Sequence, residues 1–320
     1  MIPESFQSMN YPIHILSKVL SKNTSGSLLP LFKETIWDVI QPPEELFIQG
    51  KETSLSLLDT LPDRGLAVVG TRNPQYRSTT LTKKILQDLS ASKLIIISGL
   101  ARGIDTTAHW AAMEAGLPTI AVLGSGLDLN YPAENQLLRE KILQSGGLVV
   151  SEFPLGTPAL PHHFLRRNRL IAGWSLATWV VEASARSGAL NTARWAREMN
   201  RTCFAVPCFP NDPSLEGNQM LLDRDHALAL WTSQSLGATW IELSTQTPKT
   251  TQKLLLHPRS EALVQFVHTL THQKGGASLE EGLNWASTQN WKPEEFFDTV
   301  NWAIREKHLV NFCGTLVKRN

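Results

Sequence analysis

The sequence predicts an α/β protein built on a doubly wound parallel sheet. Three observations carry that expectation. Short apolar runs recur between residues 66 and 208, helical stretches lie between them, and the runs are apolar nearly throughout. A strand with no polar face is buried on both sides, as in a parallel sheet covered by helices. Regular alternation of such strands with helices is the pattern of a doubly wound fold.

The predicted strands are "LAVVG", "LIIIS", "TIAVLG", "LVVSE", "ATWVVEA" and "CFAVP". Between them, "TTLTKKILQDLSAS", "DTTAHWAAMEAG", "AENQLLREKILQSG" and "NTARWAREMNR" read as helices, two of them ending in the glycines Gly116 and Gly146. Residues 1–60 hold only a few short apolar runs and read as a short N-terminal lead-in to a core at 61–243. The polar stretch "STQTPKTTQK" opens a linker at 244–257. Residues 258–320 change texture: three helical segments, then a strand pair around Gly314, read as a small winged-helix-like domain.

Composition narrows the function. With 320 residues and 42% hydrophobic content, the chain has ample material for a large core. A net charge of +1 is far from that of a generic polyanion binder, so any nucleic-acid role must use a local patch. Three cysteines, Cys203, Cys208 and Cys313, are too few and too scattered for a disulfide framework or a zinc site. The N-terminus lacks a basic segment followed by an apolar one, and "LIAGWSLATWVVEA" is too short to span a bilayer, so the reading is a cytoplasmic protein without a membrane partner.

Ligands of doubly wound sheets bind at the carboxyl edge of the strands. Here that edge reads "GTRNP" after the first strand, "SGLARGID" after the second, "GSGLD" after the third and "SEFPLG" after the fourth. "PHHFLRRNR" follows, and "EASARSGALNTA" stands at the fifth strand. Gly99 and Gly103 allow sharp turns and close backbone approach, the following helix presents free N–H groups, and Arg102 adds a cation. With Arg72, Arg166, Arg167, Arg169 and Arg186 nearby in the same set of loops, the expectation is an anion-binding edge that grips phosphate.

Other chemistry is less well supported. The first strand lacks G-x-G-x-x-G, and no G-x-x-x-x-G-K-[ST] occurs. Asp105 and His109 lie one helical turn apart, but a helix cap and a nearby histidine explain them without catalysis. His162 and His163 have no partners completing a metal site. Ser125 and Ser187 lack a nucleophile elbow. Cys203 and Cys208 read as buried thiols, and Glu152 and Glu182 as carboxylates paired to arginine. No catalytic residue, metal or cofactor is implied.

The ordered set "VVGTRNP", "SGLARGIDTTAH", "AVLGSGLDLNYPAEN", "SEFPLGTPALPHHFLRRNRLIAGWS" and "VVEASARSGALNTARWA" closely resembles the DprA/Smf family, the DNA-processing proteins of bacterial natural transformation. The resemblance implies an extended Rossmann-type core, binding of single-stranded DNA, loading of the recombinase RecA, and a homodimer; it implies no enzyme. By motif position it assigns DNA contact to Thr71 and Arg72, to Ser98, Gly99, Arg102, Gly103 and Asp105, to Asn135 of Y-P-x-x-N, and to Arg167, Asn168 and Arg169. Gly70, Gly124, Ser187 and Gly188 join them on the same edge. Phe153, Phe164 and Phe209 are aromatics available for base stacking, though core packing accounts better for each taken singly, and Trp179 and Trp195 are expected to supply apolar dimer surface.

Two features depart from the family pattern: Cys208 follows Val206-Pro207 where members usually have glycine, and "LEGNQMLL" is a residue short of the usual glycine–asparagine spacing. The rival reading is a nucleotide-cleaving phosphoribohydrolase on a related core, but "ARSGALNTA" lacks that family's Pro-Gly-Gly and its glutamate.

Overall fold

Two short strands, β1 (Ile13–Ser17) and β2 (Glu45–Gln49), open the described chain. They are followed by β3 (Gly65–Val69), β4 (Ile95–Ser98), β5 (Thr119–Leu123), β6 (Leu148–Ser151), β7 (Ala177–Val180), β8 (Thr202–Ala205) and β9 (Leu228–Ala229). This computed structural model describes residues 11–17, 43–208, 212–236, parts of 262–300, 309–312 and 315–318. The chain divides into two units, Met1–Thr245 and Gln246–Asn320.

The strands of the first unit form one nine-stranded sheet, ordered β1-β2-β6-β5-β4-β3-β7-β8-β9. Neighbours from β6 through β9 pair in parallel, whereas β2 pairs antiparallel with both β6 and β1. The expected lead-in is therefore corrected: residues 13–17 and 45–49 extend the sheet by two strands. Phe47 lies opposite Ser151 and Ile48 opposite Val150, so β2 covers the β6 edge that would otherwise be open. The sequence pattern hides these strands because they are short and separated by a long, weakly patterned stretch.

Six helices connect the parallel strands: α1 (Tyr76–Asp88), α2 (Ile104–Glu114), α3 (Gln136–Gln144), α4 (Pro161–Gly173), α5 (Ala189–Glu198) and α6 (Glu216–Asp223). They cover both faces, and the alternation of side chains along each strand sorts them. Ala67 and Val69 of β3 face Leu170 and Ile171 of α4 and Ala193 of α5. Leu66 and Val68 face Ile85 and Leu86 of α1 and Ala108 and Ala112 of α2. On β5, Ala121 and Leu123 meet Leu138 and Ile142 of α3. Every residue of β3, β4, β5 and β7 is buried, as expected for strands covered twice.

From β3 the chain winds outward through β4, β5 and β6, then returns to the other side of β3 for β7, β8 and β9. The crevice between β3 and β7 is thus the switch point, where loops leave in opposite directions and open a cleft.

Trp179 is fully buried against the α1 and α2 face, and Trp195 packs against the α4 and α5 face. Trp179 therefore provides no external apolar surface, whereas Trp195, itself on α5, is half-buried. The exposed apolar side chains of this region are Leu228, 53% exposed, and Trp231, 56% exposed, at the sheet edge formed by β9. Cys208 lies half-buried, its Sγ 2.8 Å from Gln219 Oε1.

The second unit contains a three-stranded antiparallel sheet ordered β10 (Ala277–Ser278), β12 (Thr315–Lys318), β11 (Leu309–Phe312). The pair β11–β12 flanks Gly314 as the sequence predicts. Helix α7 (Leu279–Thr288) begins with a capping box in which Ser278 Oγ accepts from Glu281 N and Glu281 Oε2 accepts from Ser278 N. Leu263, Val267, Ala286, Trp291, Phe296 and Val300 form its small core. The expected linker at 244–257 lies outside the described residues.

One buried amide ties the late strands of the first unit together. Asn218 on α6 accepts from Ala183 N at 2.8 Å and donates to Val180 O, Val181 O and Val206 O at 3.1–3.2 Å. Val180 O keeps its bond from Val206 N, but replacing Asn218 by a leucine of similar size takes this partner from Ala183 N, Val181 O and Val206 O, each worth roughly 1–3 kcal/mol unpaired. Asn218→Leu is therefore expected to lose at least about 3 kcal/mol in urea denaturation; an unchanged midpoint would show that the latch is dispensable.

Candidate functional site

The loops after β3, β4, β5 and β7, with the first turns of α4, converge over the switch point around an open cleft of about 590 Å³. Gly70, Thr71, Arg72, Asp105, Arg167, Asn168, Ser187 and Gly188 line it, as the sequence reading places them. Gly99, Arg102 and Gly124 line an adjoining recess that shares Arg72, Tyr131 and Phe164 with the cleft. Four predicted residues line neither: Ser98, Gly103, Asn135 and Arg169. Each has a structural task.

The glycine loop is built for the protein's own side chains. A β-carbon on Gly99 would stand 2.5 Å from Arg167 Nη2, so glycine here admits a guanidinium. Gly103, at φ 81°, is the residue before α2, and a β-carbon there would strike the carbonyl oxygen of Thr71. Two backbone N–H groups of the loop, Gly99 N and Ala101 N, donate to Asp105 Oδ2 at 3.1 and 3.3 Å. An internal carboxylate thus occupies those two amides. Asp105 is also in the first turn of α2, not its cap, and burial raises its pKa above the usual carboxylate range while Arg167 opposes the shift.

Arg167 is the counterpart of that carboxylate. It is 4% exposed; Nη1 donates to Gly99 O at 2.9 Å and to Val122 O, and Nε to Asn168 Oδ1 at 3.2 Å. Burial lowers its pKa to about 10, so it is still a cation at neutral pH. Asn168 in turn donates to Gly188 O and Asn191 Oδ1, both at 3.3 Å, which fixes the start of α5. Arg169 is committed elsewhere: it forms a buried fork with Glu152 at 2.5 and 2.7 Å, and Arg166 Nε reaches the same carboxylate at 3.1 Å. Ser98 Oγ donates to Val68 O at 2.7 Å, and Asn135 Nδ2 donates to Leu100 O and Thr106 Oγ1, both at 2.9 Å.

The exposed arginines of this edge are Arg72, Arg102, Arg166 and Arg186, of which Arg166 already reaches the buried Glu152. Arg102, 58% exposed in its side chain, lies 3.8 Å from the equally open Glu134, a weak surface pair. Beside them stands an aromatic wall. The rings of Tyr131 and Phe164 are 5.4 Å apart, and the guanidinium of Arg72 lies 5.6 Å from the Phe164 centroid. Tyr131 is 43% exposed. The sequence reading named Phe164 but passed over Tyr131, although the Y-P-x-x-N motif contained it. Phe153 is a core residue at 6% exposure, and Phe209 lies outside the described residues.

Residues considered for catalysis are otherwise employed. His109 Nδ1 donates to Thr119 Oγ1 at 2.7 Å, since that hydroxyl itself donates to Ile96 O. Glu182 Oε2 accepts from Gln75 N at 3.0 Å, so its partner is backbone, not arginine. Burial pushes the Cys203 thiol up to about 12. His163 stacks on Phe153 at 4.3 Å, and among the described residues no group of His, Cys, Asp or Glu could hold a metal ion.

Two measurements probe this architecture. Gly99→Ala should displace the Arg167 guanidinium and cost about 2–4 kcal/mol of stability, the range for breaking a buried network. Arg102→Ala should stay within about 0.5 kcal/mol of wild type. Equal thermal stability of both variants would return the loop to a ligand-binding role. The second probe is acid. Burial drives the His109 pKa down from 6.5 to about 3, so the folded state holds the neutral ring. Stability from this group is complete above pH 6.5 and is lost as pH falls toward 3; the raised pKa of Asp105 acts in the opposite sense at the acidic end. At about 1.36 kcal/mol per unit, His109 should remove roughly 3 kcal/mol between pH 6.5 and 4. His109→Gln should flatten that slope in urea denaturation, and an identical slope would contradict it.

The model of the family described as DNA recombination-mediator protein A matches residues 29–239. Protein Smf of Synechocystis sp. is 40% identical over 212 residues, 65% of this chain and 52% of that protein. The DNA processing protein DprA of Streptococcus pneumoniae is 40% identical over 193 residues, 60% of this chain and 66% of that protein. The match thus spans about half to two thirds of these relatives. The X-ray structure of the Streptococcus pneumoniae protein superposes with a TM-score of 0.59 at 34% identity, covering 73% of this chain and 76% of that one. A Helicobacter pylori DNA processing protein A structure, which concerns that protein's single-stranded DNA binding mode, shares the fold at a TM-score of 0.60 and 24% identity, covering 73% and 97%. The chain belongs to the DNA recombination-mediator protein A family, the DprA/Smf proteins.

Proposed function

We propose that the cleft binds single-stranded DNA, that the chain loads RecA recombinase onto the bound strand during natural transformation, and that it does so as a cytoplasmic homodimer. One observation carries the DNA reading: an aromatic wall, exposed Tyr131 with half-buried Phe164, stands next to Arg72 and Arg102 at the switch point of the sheet. Cations take backbone phosphates and a ring face takes an unpaired base, the combination that single strands need. Arg186, which also lines the cleft, extends the cationic path. With a net charge of +1, attraction is confined to this cleft.

Leu228 and Trp231 support the homodimer, because they place apolar surface beside the open edge strand β9. RecA loading rests on family membership. The capped helix α7 and the β11–β12 pair support a winged-helix-like reading of the second unit. Among the described residues no helix is long and apolar enough to cross a membrane.

Titration of labelled oligothymidine against a duplex of equal length tests the DNA reading, with tighter single-strand binding expected and equal affinity at physiological salt overturning it. Arg72→Ala and Arg186→Ala should each weaken binding about ten- to a hundredfold. Each lost phosphate contact should flatten the log-affinity against log-salt slope by about 0.7. Neither change should shift the melting temperature, because both side chains are exposed.

A further inference from the structure

The wall that carries Tyr131 is held from behind by a buried cation that does not line the cleft. Arg139 of α3 is 4% exposed. Its Nη2 donates to Leu127 O at 2.5 Å and to Gln49 Oε1 at 2.7 Å. Its Nη1 donates to Leu129 O at 3.2 Å and to Asn130 Oδ1 at 3.4 Å. Three of these acceptors belong to the segment immediately before Tyr131; the fourth, Gln49, is a buried residue of β2. Both carboxylate oxygens of Asp128, in the same segment, accept from Gly156 N at 2.8 Å. Beyond Tyr131, Asn135 anchors the chain to the glycine loop. The segment 127–135 is therefore fastened on both sides of one exposed ring.

Holding an aromatic in its binding geometry before the ligand arrives removes the ordering cost from the binding step. A guanidinium does this where an ammonium does not, because its planar fork meets several acceptors in fixed directions. We propose that Arg139, with Gln49 as its counterpart on β2, is a positioning residue for base stacking: it presets the segment so that Tyr131 stands beside Phe164 ready to receive a base. This rests on the single-stranded DNA reading of the cleft. It assigns the N-terminal strand pair a part in binding as well as in covering a sheet edge.

The test uses the full chain and two strands of equal length, oligothymidine and an abasic oligomer with the same phosphates. Wild type should bind oligothymidine more tightly; equal affinities would defeat the stacking reading itself. Arg139→Lys should bind oligothymidine about three- to tenfold more weakly, part of the value of one stacked base, and the abasic strand unchanged. It should cause no further loss in a Tyr131→Ala background. Equal weakening on both strands, additivity with Tyr131→Ala, or wild-type affinity would each overturn the proposal. If Arg139→Lys does not fold, Gln49→Leu decides by the same pattern.

Discussion

The cleft depends on one buried cation. The Arg167 guanidinium reaches from α4 across the ends of β4 and β5, taking Gly99 O and Val122 O, while its charge faces Asp105. Asp105 in turn gathers the amides of the glycine loop. Carbonyls turn toward the cation and N–H groups toward the anion, so the pair organises backbone of both polarities. A buried ion pair is costly to desolvate, and what it contributes is a defined arrangement more than net stability. Gly99 follows from that arrangement, since any side chain there would occupy the place of the guanidinium.

The arginines of this edge consequently divide by depth. Arg167 and Arg169 are buried and spend their donors on carbonyls and on Glu152. Arg72, Arg102 and Arg186 remain in solvent and can exchange water for phosphate. Residue type alone does not separate the two groups, because all are arginines in glycine- and arginine-rich segments at one sheet edge. Position on α4 does. Arg166 and Arg169, three apart, share one helix face and one carboxylate. Arg167 is turned away from them toward the glycine loop.

The parallel sheet and its carboxyl-edge loops are legible in the sequence because doubly buried strands leave long unbroken apolar runs, whereas the switch point between β3 and β7 emerges only from the strand order. The loops at their carboxyl ends then stand together by topology, and this located the cleft. Less legible were features set by partners distant in sequence. β2 shows no clear signal because its partner is Ser151 to Val149, a hundred residues on. Trp179 looks like interface material until the α1 and α2 layer covers it. The two carboxylates thought to pair with arginine split: Glu152 does, whereas Glu182 supports the backbone at Gln75. Tyr131 was hidden by its motif, in which the proline and asparagine drew attention and the ring did not.

On the proposed single-stranded DNA reading, the same division of labour would let a nearly neutral protein hold a polyanion. A single strand offers both phosphates and unpaired base faces, so a short cationic lip with one aromatic wall suffices to engage it locally. A duplex hides its base faces and presents only charge, for which a protein of net charge +1 has no broad surface to offer. On that reading, selectivity would come less from the number of arginines than from keeping a few exposed cations next to the Tyr131–Phe164 wall. The buried ones secure that spacing: Arg167 lies 5.9 Å from the centroid of Phe164, the ring that Arg72 approaches from its own loop. The buried Arg167 thereby helps set where the exposed cations and the rings of the cleft stand.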